Sequence, residues 1–262
     1  MGAEQSQVLA SSPAALAFEE KMRQENMSDA AVRAFLYNYS GLVSGKSCML
    51  PDAEIEAVLS LPKLEEIVGQ SSVDANAVLK KTVVLKLNGG LGTGMGLEKA
   101  KSLLVVREEL TFLDFIVQQV KHMRATFGPG VKFALMNSFA TSEDTLAFLK
   151  ERFADVAAEA EVELIQNKSP KVSQEPLLPA TSAEDPEKEW CPPGHGDLYP
   201  SLLGSGMLAK LLAQGYEYMF VSNSDNLGAT LDLELLKYFA GKQLPFLMEV
   251  CERTAADKKG GH

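Results

Sequence analysis

Apolar residues along this chain change their spacing near residue 80. Before that point they recur at helical intervals. Ser28 is placed to cap a helix through Asp29, Val32, Phe35 and Leu36, and Asp52 to cap another through Ile55, Val58 and Leu59. From Thr82 onward, short β-branched or apolar runs alternate with helical stripes. Strands are predicted over 82–87, 131–136, 161–166, 217–222 and 245–250. Between them Phe112, Phe115, Ile116, Val120 and Met123 form one helical face, with Thr111 as cap and Asp114 three residues on. Thr141 and Asp144 repeat that device, and a third helix carries Leu202, Leu203, Met207, Leu208, Leu211 and Leu212 up to Gly215.

Strands alternating with helices predict an α/β fold whose sheet is mostly parallel and covered on both faces. Ligands on such sheets bind beyond the carboxyl ends of the strands. The division expected is a helical N-terminal region over 1–80 followed by the sheet-bearing region over 81–262. The long proline-rich stretch from Asn167 to Pro200 has little periodicity and reads as a functional loop.

Composition narrows the function classes. The 262 residues are 46% hydrophobic, enough to bury a substantial core, and the formal net charge of −10 argues against a nucleic-acid partner. Cys48, Cys191 and Cys251 are scattered and only three histidines are present, so neither a zinc spacing nor a disulfide framework is indicated. No apolar run has membrane-spanning length, and stable membrane association is not expected. Met1-Gly2-Ala3-Glu4-Gln5-Ser6 matches a myristoylation pattern but lacks a polybasic second signal, and we read it as accidental. A cytoplasmic location is the expectation.

The chemistry concentrates behind the first strand. Leu87-Asn88-Gly89-Gly90-Leu91-Gly92-Thr93-Gly94-Met95-Gly96 is followed by Lys99 and Lys101. Backbone so dense in glycine brings amides close to a phosphate or a base. Spacing excludes the dinucleotide fingerprint, whose third glycine would fall on Met95 or Leu97. It also excludes the P-loop, because Ala100 precedes Lys101-Ser102 and Met95 stands at the first glycine. What fits is the nucleotidyltransferase pattern, a glycine-rich loop after the first strand with a lysine roughly ten residues on.

The loop closely resembles that of the eukaryotic-type UTP–glucose-1-phosphate uridylyltransferases, or UDP-glucose pyrophosphorylases. Matching segments follow in order: Gln166-Asn167-Lys168-Ser169-Pro170, Pro192-Pro193-Gly194-His195-Gly196-Asp197 and Ser222-Asn223-Ser224-Asp225-Asn226. Met248-Glu249-Val250 through Lys258-Lys259-Gly260-Gly261 makes a fifth. The resemblance implies a Rossmann-like nucleotidyltransferase sheet that joins UTP and glucose 1-phosphate into UDP-glucose and pyrophosphate with Mg²⁺. Family members are longer, so it also implies that this chain carries the front part of that architecture.

By the same resemblance, Lys101 is the catalytic cation, since the motif lysine directly precedes Ser-Leu, and it also contacts UTP. Leu87, Asn88, Gly89 and Gly90 lie along the uridine, Gln166 and Met136 face the base, and Gly194, Asn223, Ser224 and Asp225 complete the UTP contacts. Gly89, Gly90 and His195 serve the sugar phosphate, and Asp225 is the Mg²⁺ ligand. Two alternatives stay open. One is a UDP-sugar pyrophosphorylase of broader specificity, although such enzymes typically carry arginine within the loop, whereas Met95 and the Asn88-Gly89-Gly90 opening here favour the glucose enzyme. The other is a UTP-binding fragment without turnover.

Overall fold

A computed structural model of the protein describes residues 12–47, 49–91 and 99–255. Its strands are β1 (Thr82–Asn88), β2 (Val105–Arg107), β3 (Leu110–Thr111), β4 (Lys132–Asn137), β5 (Glu163–Ile165), β6 (Ser169–Pro170), β7 (Trp190–Cys191) and β8 (Tyr218–Asn223). Four of them build one sheet in the order β5-β4-β1-β8, and every pairing in it is parallel. The expected α/β architecture is therefore present. The remaining strands form two small antiparallel ribbons, β2 with β3 and β6 with β7.

Alternation along the strands divides the core in two, because successive side chains leave a strand on opposite faces. Val84, Phe133 and Leu135 pack with Leu113, Ile116, Val117 and Val120 of the Phe112–Phe127 helix and with Leu149 of the Ser142–Arg152 helix. Val83, Leu85, Ala134, Met136 and Leu164 point the other way, onto Leu198, Leu202, Met207 and Leu211. The N-terminal helices, Pro13–Gln24 and Asp29–Val43, pack outside this second layer, the latter against the Leu198–Gly204 helix. Ser28 caps the Asp29 helix as expected, accepting from the Ala31 N–H at 3.2 Å.

Thr111 and Asp114 form the expected capping box. Asp114 is fully buried and accepts from the Thr111 N–H at 2.8 Å, while its own N–H donates to the Thr111 hydroxyl at 3.1 Å. The buried stripe of that helix is centred on Leu113, Ile116, Val117 and Val120, with Phe112, Phe115 and Met123 at its margins.

Four expected elements differ from this structure. After Asp52 there is only a single 3₁₀ turn, Asp52–Glu54, and Val58 and Leu59 are exposed. A short helix with no buried face gains too little to offset its ordering entropy. Thr141 does not cap its helix, because its hydroxyl is taken by the Asn88 carbonyl at 2.9 Å and by the Ser138 N–H. The third helix is two helices, Leu198–Gly204 and Met207–Ala213, separated where Gly206 turns left-handed at φ 75°. Residues 245–250 form no strand. Phe246, Met248 and Val250 are exposed, and no described strand offers them a hydrogen-bond ladder.

Lys86 is the oddest residue in the central strand. It is 2% exposed, donates to the Ala229 carbonyl at 2.7 Å and sits 5.7 Å from the centre of the Phe220 ring. Burial pushes its ammonium down to about 8. A cation with a lowered folded-state value costs stability while both states are charged. That cost is relieved as pH rises from the folded value toward the unfolded one, where the unfolded chain holds more protons. We therefore expect unfolding stability to rise between pH 7 and pH 10 by roughly 2–3 kcal/mol relative to Lys86→Met. Denaturant titrations of the two proteins at both pH values measure this. Parallel pH profiles would assign the charge cost to another group.

Candidate active site at the carboxyl edge of the sheet

Because all four strands run parallel, their carboxyl ends share one edge, and the singled-out motifs meet there. β1 ends at Leu87-Asn88, in register with Met136-Asn137 of β4 and, through Leu87, with Asn223 of β8. Beneath that edge runs a buried polar network. Asn88 Nδ2 donates to Asn137 Oδ1 at 2.7 Å and to Thr145 Oγ1 at 3.1 Å, and Asn137 Nδ2 donates to Glu163 Oε1 at 2.5 Å. The Asn88 side chain thus points into the fold, tying β1 to β4 and to the Ser142–Arg152 helix, and leaves only its main chain at the edge. Met136 likewise lies inside the second core layer, 2% exposed.

The glycine loop leaves from Gly89-Gly90. A methyl group on Gly89 would stand 2.2 Å from Nε2 of Gln166, so a side chain at 89 would displace that amide. Gln166 is itself 4% exposed, and its N–H is held by the Asn137 carbonyl at 2.8 Å. Glycine is required here for close approach of a neighbouring side chain. The loop is closed by an antiparallel bridge between Leu91 and Ala100, and by the Lys101 N–H donating to the Gly90 carbonyl at 3.2 Å. Gly92, Gly94, Met95 and Gly96 lie outside the described residues.

The two lysines behind the loop are placed differently. Lys99 is exposed, whereas Lys101 begins a 3₁₀ turn and brings Nζ to 3.8 Å from Oδ2 of Asp225. Asp225 follows β8 by two residues, and Ser224 between them is buried with its N–H on the Leu87 carbonyl at 3.0 Å. Lys101 and Asp225 are each about two-fifths exposed, so their attraction is screened and adds little to stability. The pair is a cation and a carboxylate side by side at an open edge, free to exchange partners.

Gly194 and His195 sit on a separate segment. Gly194 has φ 97°, a left-handed conformation that strains any side-chain-bearing residue, and it opens the 3₁₀ turn His195–Asp197. His195 is exposed on that turn, while Asp197 is buried and bonded to Asn167, the residue after Gln166. The structure thus brings Gly89, Gly90, Lys101, Ser224 and Asp225 together around β1. It sets Gln166 against Gly89 and links the His195 turn to the same strand end. Asn137, Thr141 and Asp197 hold this arrangement, and the sequence marked none of them as a site residue. A polar residue closing an apolar strand, as Asn137 closes β4, was the available signal.

Comparison with known proteins agrees with this geometry. The family profile described as UTP–glucose-1-phosphate uridylyltransferase matches residues 35–262. The UTP–glucose-1-phosphate uridylyltransferase of Solanum tuberosum is 44% identical over 207 residues, covering 79% of this chain and 43% of that protein. A probable enzyme of the same name from Schizosaccharomyces pombe is 41% identical over 209 residues, covering 76% of this chain and 40% of its own. Among solved structures, a UDP-glucose pyrophosphorylase S374F mutant from Leishmania major in complex with UDP-glucose superposes with a TM-score of 0.90 at 49% identity. That match covers 96% of this chain and 52% of the other. This chain therefore spans about half the length of the relatives it matches. With its sheet, its motif order and nearly its whole length shared with these proteins, the chain belongs to the UTP–glucose-1-phosphate uridylyltransferase family.

Proposed function

We propose that this chain carries the UTP-binding portion of an enzyme that transfers uridylyl from UTP to glucose 1-phosphate, giving UDP-glucose and pyrophosphate. The observation that carries the proposal is Lys101, pinned to the exit of the glycine loop with Asp225 at 3.8 Å. A phosphoryl-transfer site needs a fixed cation and a metal-binding carboxylate at one point. The Leishmania major relative solved with UDP-glucose supports this choice of nucleotide sugar. A UDP-sugar pyrophosphorylase of broader specificity is the competing reading, and Met95 with the Asn88-Gly89-Gly90 opening speaks for the glucose enzyme.

In this reading a phosphate oxygen of glucose 1-phosphate forms a bond to the α-phosphorus of UTP, and the bond to the pyrophosphate oxygen breaks. The nucleophile is already an anion, so no general base is required. Lys101 holds charge on the α-phosphate and the departing pyrophosphate, and the main chain at Gly89 and Gly90 approaches the phosphates. Gln166 hydrogen-bonds the base, Leu87 and Asn88 lie along the uridine, and Asn223 and Ser224 face the ribose. Met136 backs the base pocket from the core, Gly194 adds to the UTP contacts, and His195 takes the glucosyl phosphate. Mg²⁺ fits the donor set. Among the described residues no three His, Cys, Asp or Glu side chains group to hold a metal ion. The single carboxylate of Asp225 suits an ion bound mainly by substrate phosphates, whose charge it neutralises. A cytoplasmic location belongs to the same proposal, and no helix among the described residues is long and apolar enough to cross a membrane.

Calorimetry on this chain is expected to detect UTP, and Gln166→Ala should weaken UTP while leaving inorganic triphosphate nearly unchanged. Equal loss for both ligands would remove Gln166 from base recognition. Whether this chain turns over is decided by measuring pyrophosphate release beside UTP binding; UTP binding without release identifies a binding fragment.

In a chain of the relatives' full length, Lys101→Ala should lower turnover by about 10²–10³-fold, the loss expected for one preorganised electrostatic group. Lys99→Ala should cost only several-fold. The opposite ranking would show that the other lysine meets the phosphates. For Asp225→Asn, UTP affinity should no longer rise on adding Mg²⁺, while affinity without metal stays level or improves. An unchanged Mg²⁺ response would leave Asp225 a turn residue.

A further inference from the structure

Asp197 stands immediately before the Leu198–Gly204 helix, where an aspartate ordinarily accepts from the first-turn amides. It makes no such cap. The residue is 7% exposed, and its carboxylate is turned toward another segment. Oδ2 accepts from the Asn167 N–H at 2.7 Å and from the Ser201 hydroxyl at 2.6 Å. Asn167 Nδ2 lies 3.0 Å from Oδ1 and 3.1 Å from Oδ2, and also donates to Ser201 Oγ at 3.0 Å. Asn167 and Ser201 thus converge on one buried carboxylate, and the helix cap is forgone for it.

The position of these groups gives the cluster its meaning. Asn167 directly follows Gln166, and His195 opens the turn that Asp197 ends. Gln166 has its own anchor, since its N–H is held by Asn137 and its amide rests on Gly89. The His195 turn is closed by two local main-chain hydrogen bonds, from the Asp197 N–H to the Gly194 carbonyl at 3.1 Å and from the Leu198 N–H to the His195 carbonyl, and the Asp197 side chain ties it to the segment that follows β5. We propose that Asp197 is a positioning residue that fixes the His195 turn, the sugar-phosphate side of the site, relative to the base side at Gln166. This rests on the uridylyltransferase reading above and goes beyond it in assigning the coupling between the two half-sites to one carboxylate.

An amide at this position keeps the shape but offers a single oxygen, and its own N–H groups face the donors of Asn167 and Ser201. At least one of the convergent hydrogen bonds is then lost, and the turn loosens while the Gln166 anchors remain.

The test compares UDP with UDP-glucose, because the difference between them reports the sugar side alone. Calorimetry should show the wild-type chain binding UDP-glucose more tightly than UDP. Asp197→Asn should reduce that preference by about tenfold and change UDP affinity by about twofold or less. Asn167→Ser, which removes the side-chain donor from the other side, should shift the ratio in the same direction and carries the test if Asp197→Asn does not fold. A merely structural role would lower the melting temperature and leave the ratio intact, and that result in a folded variant overturns the proposal. Equal loss of both ligands overturns it too. If the wild type binds neither UDP nor UDP-glucose, the failure lies in the uridylyltransferase reading itself.

Discussion

The site depends on one constraint: β1 is paired in parallel on both of its edges. With β4 on one side and β8 on the other, all its inner hydrogen-bonding groups are consumed along the strand. The first backbone free to meet a ligand is therefore at Gly89 and beyond. The same parallel register carries Asn137, Gln166 and Ser224 to that edge, although they are far apart in sequence. An antiparallel partner would have sent its motif to the opposite edge.

Polar groups buried beneath the edge pay for this alignment in desolvation, and nearly all are satisfied. Asn88, Asn137, Thr141 and Thr145 bond one another across two strands and the start of a helix, while Asp197 does the same for the Asn167 and His195 segments. Such groups are costly when left unpaired, so each holds its neighbour to one geometry. Lys86 is the exception in kind. It has a carbonyl and a ring face for company, and its charge is disfavoured by burial. It joins β1 to the segment just after Asp225, which gives the carboxylate a stable base.

At the surface of the edge the balance is reversed. Lys101 and Asp225 are partly exposed and loosely paired, so neither is committed by strong local bonds. A rigid network below and exchangeable charges above is what a polyanionic ligand requires: the frame is organised in advance, and only the charges change partners.

Much of this was legible in the chain itself. The β-branched run at 82–87, the capping box of Thr111 and Asp114, and the glycine spacing around Gly89 are local signals, and local propensity decided them. Ordered motifs were enough to identify the family, and the Ser-Leu step after Lys101 marked that lysine rather than Lys99 by its likeness to the family motif. What the sequence could not decide was where each hydroxyl and carboxylate would find its partner. Thr141 looked like a helix cap and instead holds Asn88, 53 residues away. Asp197 sits at a cap position yet serves Asn167. The apolar residues of 246–250 had the spacing of a strand but found no ladder among the described residues. Period and propensity act over a few residues, whereas hydrogen-bond satisfaction is settled among groups brought together only when the parallel sheet has formed.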